Sequence, residues 1–138
     1  TISHVLGNIS LEEKKIFDKE FIRVVESLEK TIYEHKVLMG YDVVGYGAAA
    51  KAMTLLNFGK IKLDFIIDDN PLKQGLLTPG MDIPIRPVEH LKSIISPITV
   101  IPLAWNFYDE IKKRTIEVRG NSPDIYIKYF PELVKEKV

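Results

Sequence analysis

The chain contains no cysteine among its 138 residues, and this absence excludes disulfides, thiolate zinc sites and thiol nucleophiles together. No apolar run approaches the roughly 18 residues that a membrane-spanning helix requires, and no signal-peptide pattern opens the chain. Charge of one sign is not in excess, since 19 acidic side chains balance 19 basic ones. A nucleic-acid partner or a polybasic membrane anchor is therefore not expected, because both need surplus Lys and Arg. A cytoplasmic location fits these absences.

The residues that are present suffice for one folded domain spanning residues 1–138. The chain is 46% hydrophobic, and a domain of this size buries roughly 68% of the surface that its unfolded chain exposes. The sequence pattern divides it into an N-terminal helical segment (1–40), a core of alternating strands and helices (41–131) and a charged tail (132–138). The tail, which follows Pro131, is expected to fray.

The N-terminal segment carries the signature of one long amphipathic helix. Ser10, followed three residues later by Glu13, has the spacing of a capping box. One apolar stripe then recurs at spacings of three and four, at Phe17, Phe21, Val24, Leu28 and Ile32. We predict a helix from about Leu11 to His35, packed on an apolar surface or reaching outward. Residues 1–8 show no periodicity and are interpreted as a linker remnant.

From Asp42 onward, short apolar strands alternate with helical stretches, which is typical of βαβ units around a parallel sheet. Strands are predicted at Asp42–Tyr46, Lys62–Asp68, Asp82–Ile85, Ile98–Leu103 and Asp124–Phe130. Helices are predicted at Ala48–Phe58 with Gly59 as its left-handed cap, after Pro87, and from Phe107 to Val118. The predicted fold class is α/β, a Rossmann-like open parallel sheet of about five strands in the order 3-2-1-4-5, with an N-terminal helix.

A glycine-rich turn joins the first strand to its helix. Gly45 and Gly47 open a G-x-G-x-x-A pattern, whose backbone N–H groups can approach an anion, and Lys51 could add a cation. Asp68 ends the second strand at the place of a ribose-binding acid. A tight strand-to-helix junction needs the same small residues, so packing is the alternative interpretation. The bulky Tyr46 between the glycines disfavours NAD or S-adenosylmethionine at this turn.

Two further segments leave the same edge of the predicted sheet, where open α/β folds bind ligands. One is the loop 68–75, and the other contains Trp105 and Asn106. Trp105 offers a stacking face and Asn106 an amide, although core packing and helix capping are their ordinary roles. No oriented acid–base pair is recognisable: Asp109 and Glu110 are interpreted as a solvated pair, and the histidines are scattered at His4, His35 and His90.

Several motifs follow one another in a specific order: Gly45 to Lys51, Thr54 to Asn57, Asp68 with Asn70-Pro71, Lys73 to Gly75, Pro79-Gly80, Ile83 to Ile85, Trp105 to Phe107, and Asp109 to Ile111. Together they resemble the C-terminal domain of sugar C-methyltransferases, from about Phe21 to Pro131. Those enzymes combine a zinc-binding domain, a central S-adenosylmethionine domain and a Rossmann-like C-terminal domain. They methylate a carbon of a nucleotide-linked deoxy-keto sugar.

The resemblance implies a substrate-binding domain that is not catalytic alone. No cofactor is expected in this chain, and S-adenosylmethionine and zinc are expected in other domains of a full-length parent. The expected partners are a nucleotide-sugar, such as a dTDP-sugar, and the central methyltransferase domain. The substrate-binding face would comprise Gly45, Tyr46, Gly47, Ala48, Lys51, Asp68, Lys73, Trp105 and Asn106.

The chain departs from the family at four positions. Ala52 stands where glycine is frequent, Asp69 and Leu76 where basic residues are common, and Asp82 where histidine is common. Fewer positive charges at these positions predict a weaker attraction for the diphosphate of the family's sugar-nucleotide substrate. An independent NAD-type nucleotide-binding module and an assembly domain are the alternative hypotheses.

Overall fold

The fold is described from a computed structural model that covers residues 11–130 and 132–137, with side chains from Lys19 onward. These residues form one six-stranded sheet in the order 3-2-1-4-5-6. The strands are β1 (Asp42–Tyr46), β2 (Phe65–Ile67), β3 (Ile85–Arg86), β4 (Ile98–Pro102), β5 (Ile125–Lys128) and β6 (Val134–Lys137). The first five strands are parallel and β6 is antiparallel to β5. The predicted Rossmann-like sheet is confirmed, with one strand added.

The helices cover both faces of the sheet. They are α1 (Leu11–Tyr33), which continues into a π-helical turn (Glu34–Leu38), then α2 (Ala50–Gly59), a 3₁₀ helix (Val88–Ser93), a 3₁₀ turn (Trp105–Phe107) and α3 (Tyr108–Arg119). The predicted N-terminal helix is confirmed and packs on the sheet, with Val25, Leu28 and Ile32 buried. The capping box and residues 1–8 lie outside the part that can be described in full.

Alternate residues along the strands contribute to two apolar layers, as the two-residue period of a strand requires. The layer under α1 and α2 contains Val43, Leu63, Ile66, Ile101, Leu103 and Ile127. The layer under α3 and the 3₁₀ helix contains Val44, Tyr46, Ile67, Val100, Tyr108, Ile111 and Tyr126. Burial of each such side chain stabilises the fold by about 1.5–3 kcal/mol relative to exposure.

A buried ion pair fastens the last turn of α3 to the start of β5. The side chains of Arg119 and Asp124 are only 3% and 1% exposed, and they meet in a bidentate pair with Nε–Oδ2 2.8 Å and Nη2–Oδ1 2.9 Å. Arg119 also donates to the backbone carbonyls of Leu91, Ile94 and Ser96. Burial alone would raise the pKa of Asp124, but its hydrogen bonds, led by the one from Arg119, lower that pKa overall.

Two other buried polar side chains, those of His35 and Tyr126, differ in their hydrogen bonding. His35 is 2% exposed, and its Nδ1 lies 2.7 Å from Thr99 Oγ1. Burial, and then the charge of Lys135, lowers the pKa of His35. The hydroxyl of Tyr126, by contrast, is fully buried; the Thr115 side chain interacts with it, but no hydrogen bond of normal geometry joins the two.

Four details of the prediction differ from the structure. Gly59 is the last residue of α2, and Lys60 takes the left-handed conformation, with φ of 51°, that was assigned to the glycine. The second strand is limited to Phe65–Ile67, and the third is displaced to Ile85–Arg86. The tail forms β6 rather than fraying, because the open edge of β5 offers it a full ladder of backbone hydrogen bonds.

Across residues 11–130 and 132–137, no helix is both long enough and apolar enough to cross a membrane.

Candidate functional site

A cleft of about 260 Å³ opens at the carboxyl edge of the sheet, between β1 and β4. The strand order reverses at this point, and open α/β sheets bind their ligands in the crevice so formed. The cleft is lined by Tyr46, Gly47, Asp68, Asp69, Phe107, Glu110, Ile111 and Arg114. Three of the predicted site residues, Tyr46, Gly47 and Asp68, therefore meet in one concave surface.

The two glycines of the turn serve different purposes. Gly45 lies inside β1, and a Cβ there would come within 2.8 Å of Leu63 Cδ1 and 2.9 Å of Leu103 Cδ1. It is therefore required by core packing and does not line the cleft. Gly47 lies at the cleft with φ of 102°, a conformation that favours glycine, and its N–H donates to the carbonyl of Ile67 at 2.7 Å.

Tyr46 is directed away from the glycine turn, into the apolar layer beneath α3, and is only 4% exposed. Its hydroxyl donates to Asp69 Oδ1 at 2.8 Å. Burial, and then this hydrogen bond, raises the pKa of Tyr46 above its usual range, so the phenol remains a protonated donor. The crowding that a tyrosine between two glycines suggested is thus absent, because the ring forms part of the cleft floor.

Asp68 is occupied in holding the turn. Its Oδ2 accepts from the N–H of Ala48 and its Oδ1 from the N–H of Asn70, each at 2.8 Å. Lys73 Nζ donates to the carbonyl of Ala48 at 2.9 Å, and Gln74 Nε2 donates to the carbonyl of Asp68 at 2.9 Å. These bonds bind the loop after β2 to the glycine turn. A ligand role for Ala48, Asp68 and Lys73 stays a prediction.

The cleft is dominated by negative charge. Its lining contributes three carboxylates, from Asp68, Asp69 and Glu110, and one guanidinium, from Arg114. Arg114 Nη1 lies 3.1 Å from Asp69 Oδ2, with the two side chains 53% and 46% exposed. Lys51, exposed in the first turn of α2, is not part of this lining. The departures from the family pattern predicted a weaker attraction for a diphosphate, and the excess of carboxylates in the cleft lining agrees with that prediction.

Trp105 and Asn106 lie in an adjoining depression of about 300 Å³, together with Tyr108, Asp109 and Lys128. The indole of Trp105 packs against Phe130, with ring centroids 4.7 Å apart. No side-chain hydrogen bond caps the start of α3, so Asn106 does not have the capping role that was its alternative. Phe107 and Glu110 line both depressions. The predicted site residues thus divide between two neighbouring hollows.

Sequence reasoning missed the contribution of α3 to the cleft. Phe107, Glu110, Ile111 and Arg114 recur at the spacing of one helix face, directly after a strand that ends at the ligand-binding edge. That spacing was the available signal. Glu110, interpreted as part of a solvated pair, is exposed as expected but lies in the wall of the cleft.

The arrangement suits binding more than covalent chemistry. Among the residues that line the cleft there is no histidine, serine, threonine or lysine, and two of its carboxylates already accept hydrogen bonds from Ala48, Asn70 and Tyr46. A nucleophile with an adjacent oriented base, which group transfer requires, is not formed by this lining. The fold and the cleft together define a Rossmann-like α/β domain with a candidate ligand cleft at its switch point.

Comparison with known proteins identifies the family to which this domain belongs. The profile of the C-methyltransferase C-terminal domain matches residues 7–131, nearly the whole chain. The chain therefore belongs to the C-methyltransferase C-terminal domain family, as its motifs predicted. It is also 39% identical, over 99 residues, to the C-methyltransferase NovU of Streptomyces niveus; this covers 67% of the chain and 23% of NovU.

Two other similarities are more limited. A stretch of 30 residues is 83% identical to peptidyl-tRNA hydrolase of Prochlorococcus marinus (strain MIT 9215), covering 22% of this chain and 15% of that protein. The UDP-D-quinovosamine 4-dehydrogenase of Vibrio fischeri superposes with a TM-score of 0.45 at 17% identity, over 71% of this chain and 93% of that one. The chain thus spans less than a quarter of the length of either curated relative.

Proposed function

We propose that this chain binds the substrate of an S-adenosylmethionine-dependent C-methyltransferase that acts on a nucleotide-linked sugar. On this proposal it catalyses no covalent step alone. The observation that carries the proposal is the cleft at the β1/β4 switch point, in a chain that belongs to the C-methyltransferase C-terminal domain family. A dTDP-sugar is the form of substrate that we propose.

The composition of the cleft supports a binding role. Carboxylates accept hydrogen bonds from sugar hydroxyls, and the exposed ring of Phe107, at 51%, offers a flat apolar surface to a sugar or a base. The adjoining hollow adds the indole of Trp105 and the amide of Asn106. One ligand with a sugar end and an aromatic end can therefore span both hollows.

Catalysis belongs, on this proposal, to a central methyltransferase domain of the same parent protein. Such a domain would hold S-adenosylmethionine and dock over the cleft at the carboxyl edge of the sheet. Leu72, in the loop after β2, is 84% exposed and would offer it an apolar contact. Zinc would belong to a further domain, and a cytoplasmic location is part of the same proposal. The described residues contribute the floor and one wall of the substrate site.

The test is a titration of the 138-residue chain with dTDP, a dTDP-sugar, NAD and S-adenosylmethionine. NMR chemical-shift mapping detects binding up to millimolar Kd and also locates it. We expect the dTDP ligands to shift resonances of Gly47, Phe107 and Trp105, and we expect no effect of NAD or S-adenosylmethionine. Tight binding of NAD or S-adenosylmethionine would contradict the proposal. So would the absence of chemical-shift changes with both dTDP ligands at millimolar concentration.

A matched pair of phenylalanine variants separates the cleft from the rest of the surface. Phe107→Ala removes a ring that lines both hollows, whereas Phe58→Ala removes a ring of similar exposure, 43%, near the end of α2. An aromatic contact contributes about 0.5–1.5 kcal/mol, so Phe107→Ala should weaken dTDP-sugar binding about 2- to 10-fold. Phe58→Ala should leave the Kd unchanged.

A further inference from the structure

A continuous polar chain crosses the cleft from its floor to its wall. It begins at the hydroxyl of Tyr46 on β1, which donates to Asp69 Oδ1 at 2.8 Å. It ends at Arg114 on α3, which donates from Nη1 to Asp69 Oδ2 at 3.1 Å. Each oxygen of Asp69 therefore has its own donor. Asp69 stands between the buried phenol and Arg114, the one guanidinium of the cleft lining.

The nearby lysine of the loop after β2 is directed elsewhere. Lys73 Nζ donates to the carbonyl of Ala48, beneath that loop, and does not line the cleft. A phosphate that entered the cleft would therefore meet Arg114 as its cationic partner there. It would also meet Asp69, whose carboxylate already accepts a hydrogen bond from Nη1 of that guanidinium.

We propose that Asp69 masks Arg114 and so lowers the affinity of the cleft for the phosphate groups of its ligand, which leaves a nucleotide-sugar to be held mainly through its sugar and its base. An anionic ligand at Arg114 either displaces the Asp69 carboxylate from Nη1 or binds the remaining guanidinium N–H groups beside it and meets its negative charge. The hydrogen bond from Tyr46 to Oδ1 opposes the displacement. The uncharged, hydroxyl-rich part of a ligand meets no such competition. Asp69 is thus a positioning residue, because it acts through the availability of Arg114.

The exposure of the pair makes this exchange feasible. The side chains of Arg114 and Asp69 are about half exposed, and ion pairs this exposed alter an equilibrium by about fivefold at most. A phosphate accepts two parallel hydrogen bonds from a guanidinium, so it competes effectively with one carboxylate oxygen. The pair therefore opposes phosphate binding without preventing it. Loss of the Asp69 charge also relieves repulsion of about the same size.

The inference rests on the proposed function only in taking this cleft as the ligand site. Inorganic pyrophosphate is the appropriate probe, because it carries the charge of a diphosphate without a sugar or a base. Failure of the dTDP-sugar titration therefore leaves this result standing, and failure here leaves the nucleotide-sugar proposal standing. Asp69→Asn is the central variant, since its side-chain oxygen still accepts the hydrogen bond from Tyr46.

The experiment measures pyrophosphate Kd by calorimetry at low salt for the 138-residue chain and four variants. These are Asp69→Asn, Glu110→Gln, Arg114→Gln and the double variant Asp69→Asn with Arg114→Gln. Glu110→Gln is the matched control, because it removes the same charge from the same cleft while Asp69 stays on Arg114. Circular dichroism and thermal melts verify that each variant is folded.

We expect Asp69→Asn to bind pyrophosphate about tenfold more tightly than wild type, and Glu110→Gln less than about threefold. Arg114→Gln should weaken binding, and the gain from Asp69→Asn should vanish in the double variant. Equal gains in Asp69→Asn and Glu110→Gln would show that net charge alone matters and overturn the proposal. So would a gain that persists without Arg114, or no gain at all in Asp69→Asn.

Discussion

Replacement of Arg119 by methionine tests how much of the stability depends on the ion pair buried behind α3. The wild-type guanidinium bonds Asp124 through two nitrogens and reaches the carbonyls of Leu91, Ile94 and Ser96. Methionine fills similar space but leaves a 1% exposed carboxylate without its cation. Removal of one partner of a buried pair costs about 3–5 kcal/mol, so we expect that loss at pH 7.

The expected loss depends on pH with a definite sign. In wild type the pKa of Asp124 is lowered, so its contribution is complete above the unfolded value of about 3.9 and disappears as the pH falls through the folded value. In Arg119→Met the guanidinium no longer offsets burial, so the pKa of Asp124 rises. Protonation of the carboxyl then removes the cost of an unpaired buried charge. The difference between the proteins should therefore shrink, by up to about 1.4 kcal/mol per pH unit, as the pH falls from the raised pKa of Asp124 in the variant toward the unfolded value of about 3.9.

Urea denaturation followed by circular dichroism, at pH 7 and at pH 5, measures both quantities. Arg114→Met is the matched control on the same helix, because Arg114 pairs with Asp69 at 53% exposure and should contribute no more than about 1 kcal/mol. A loss below about 1 kcal/mol in Arg119→Met, or a loss that is the same at both pH values, would refute the reasoning.

Three further predictions concern the core. Gly45→Ala should lower the free energy of unfolding by about 1–3 kcal/mol, because the new methyl overlaps two leucine methyls; an unchanged urea midpoint would contradict this. Tyr126→Phe should leave stability unchanged or raise it, since its buried hydroxyl has no hydrogen bond of normal geometry among the residues described, whereas Tyr108→Phe should lose about 0.5–1.5 kcal/mol with its bond to Glu136. Wild type should lose stability relative to His35→Gln as the pH falls below 6.5, because burial lowers the folded pKa of His35; parallel pH profiles would argue against it.

Much of the fold was predictable because its determinants are local and periodic. The residues of β1 and the length of α1 follow from apolar spacing, and the strand order follows from right-handed crossovers. β6 was not predictable in the same way. Its sequence, Val134 to Lys137, is mostly charged, and it becomes a strand only because the edge of β5 lies beside it.

The location of the site could be predicted from the sequence, but the hydrogen bonds and ion pairs within it could not. The switch-point crevice follows from topology, and Tyr46, Gly47 and Asp68 lie in it. Sequence alone could not show that Asp68 holds backbone N–H groups or that Arg114 crosses the cleft to Asp69. Those contacts depend on how the loop after β2 folds against residues distant in the sequence.

The antiparallel strand β6 also bears on aggregation. Without it, the apolar ladder of β5 would end in a row of unpaired backbone N–H and C=O groups, which is a template for another chain. β6 pairs with that row and ends the sheet in two lysines and a glutamate, with Lys135 and Glu136 themselves within 3.5 Å of Glu34 and Lys112. The end of the sheet is therefore charged, and this discourages edge-to-edge association of partly folded chains.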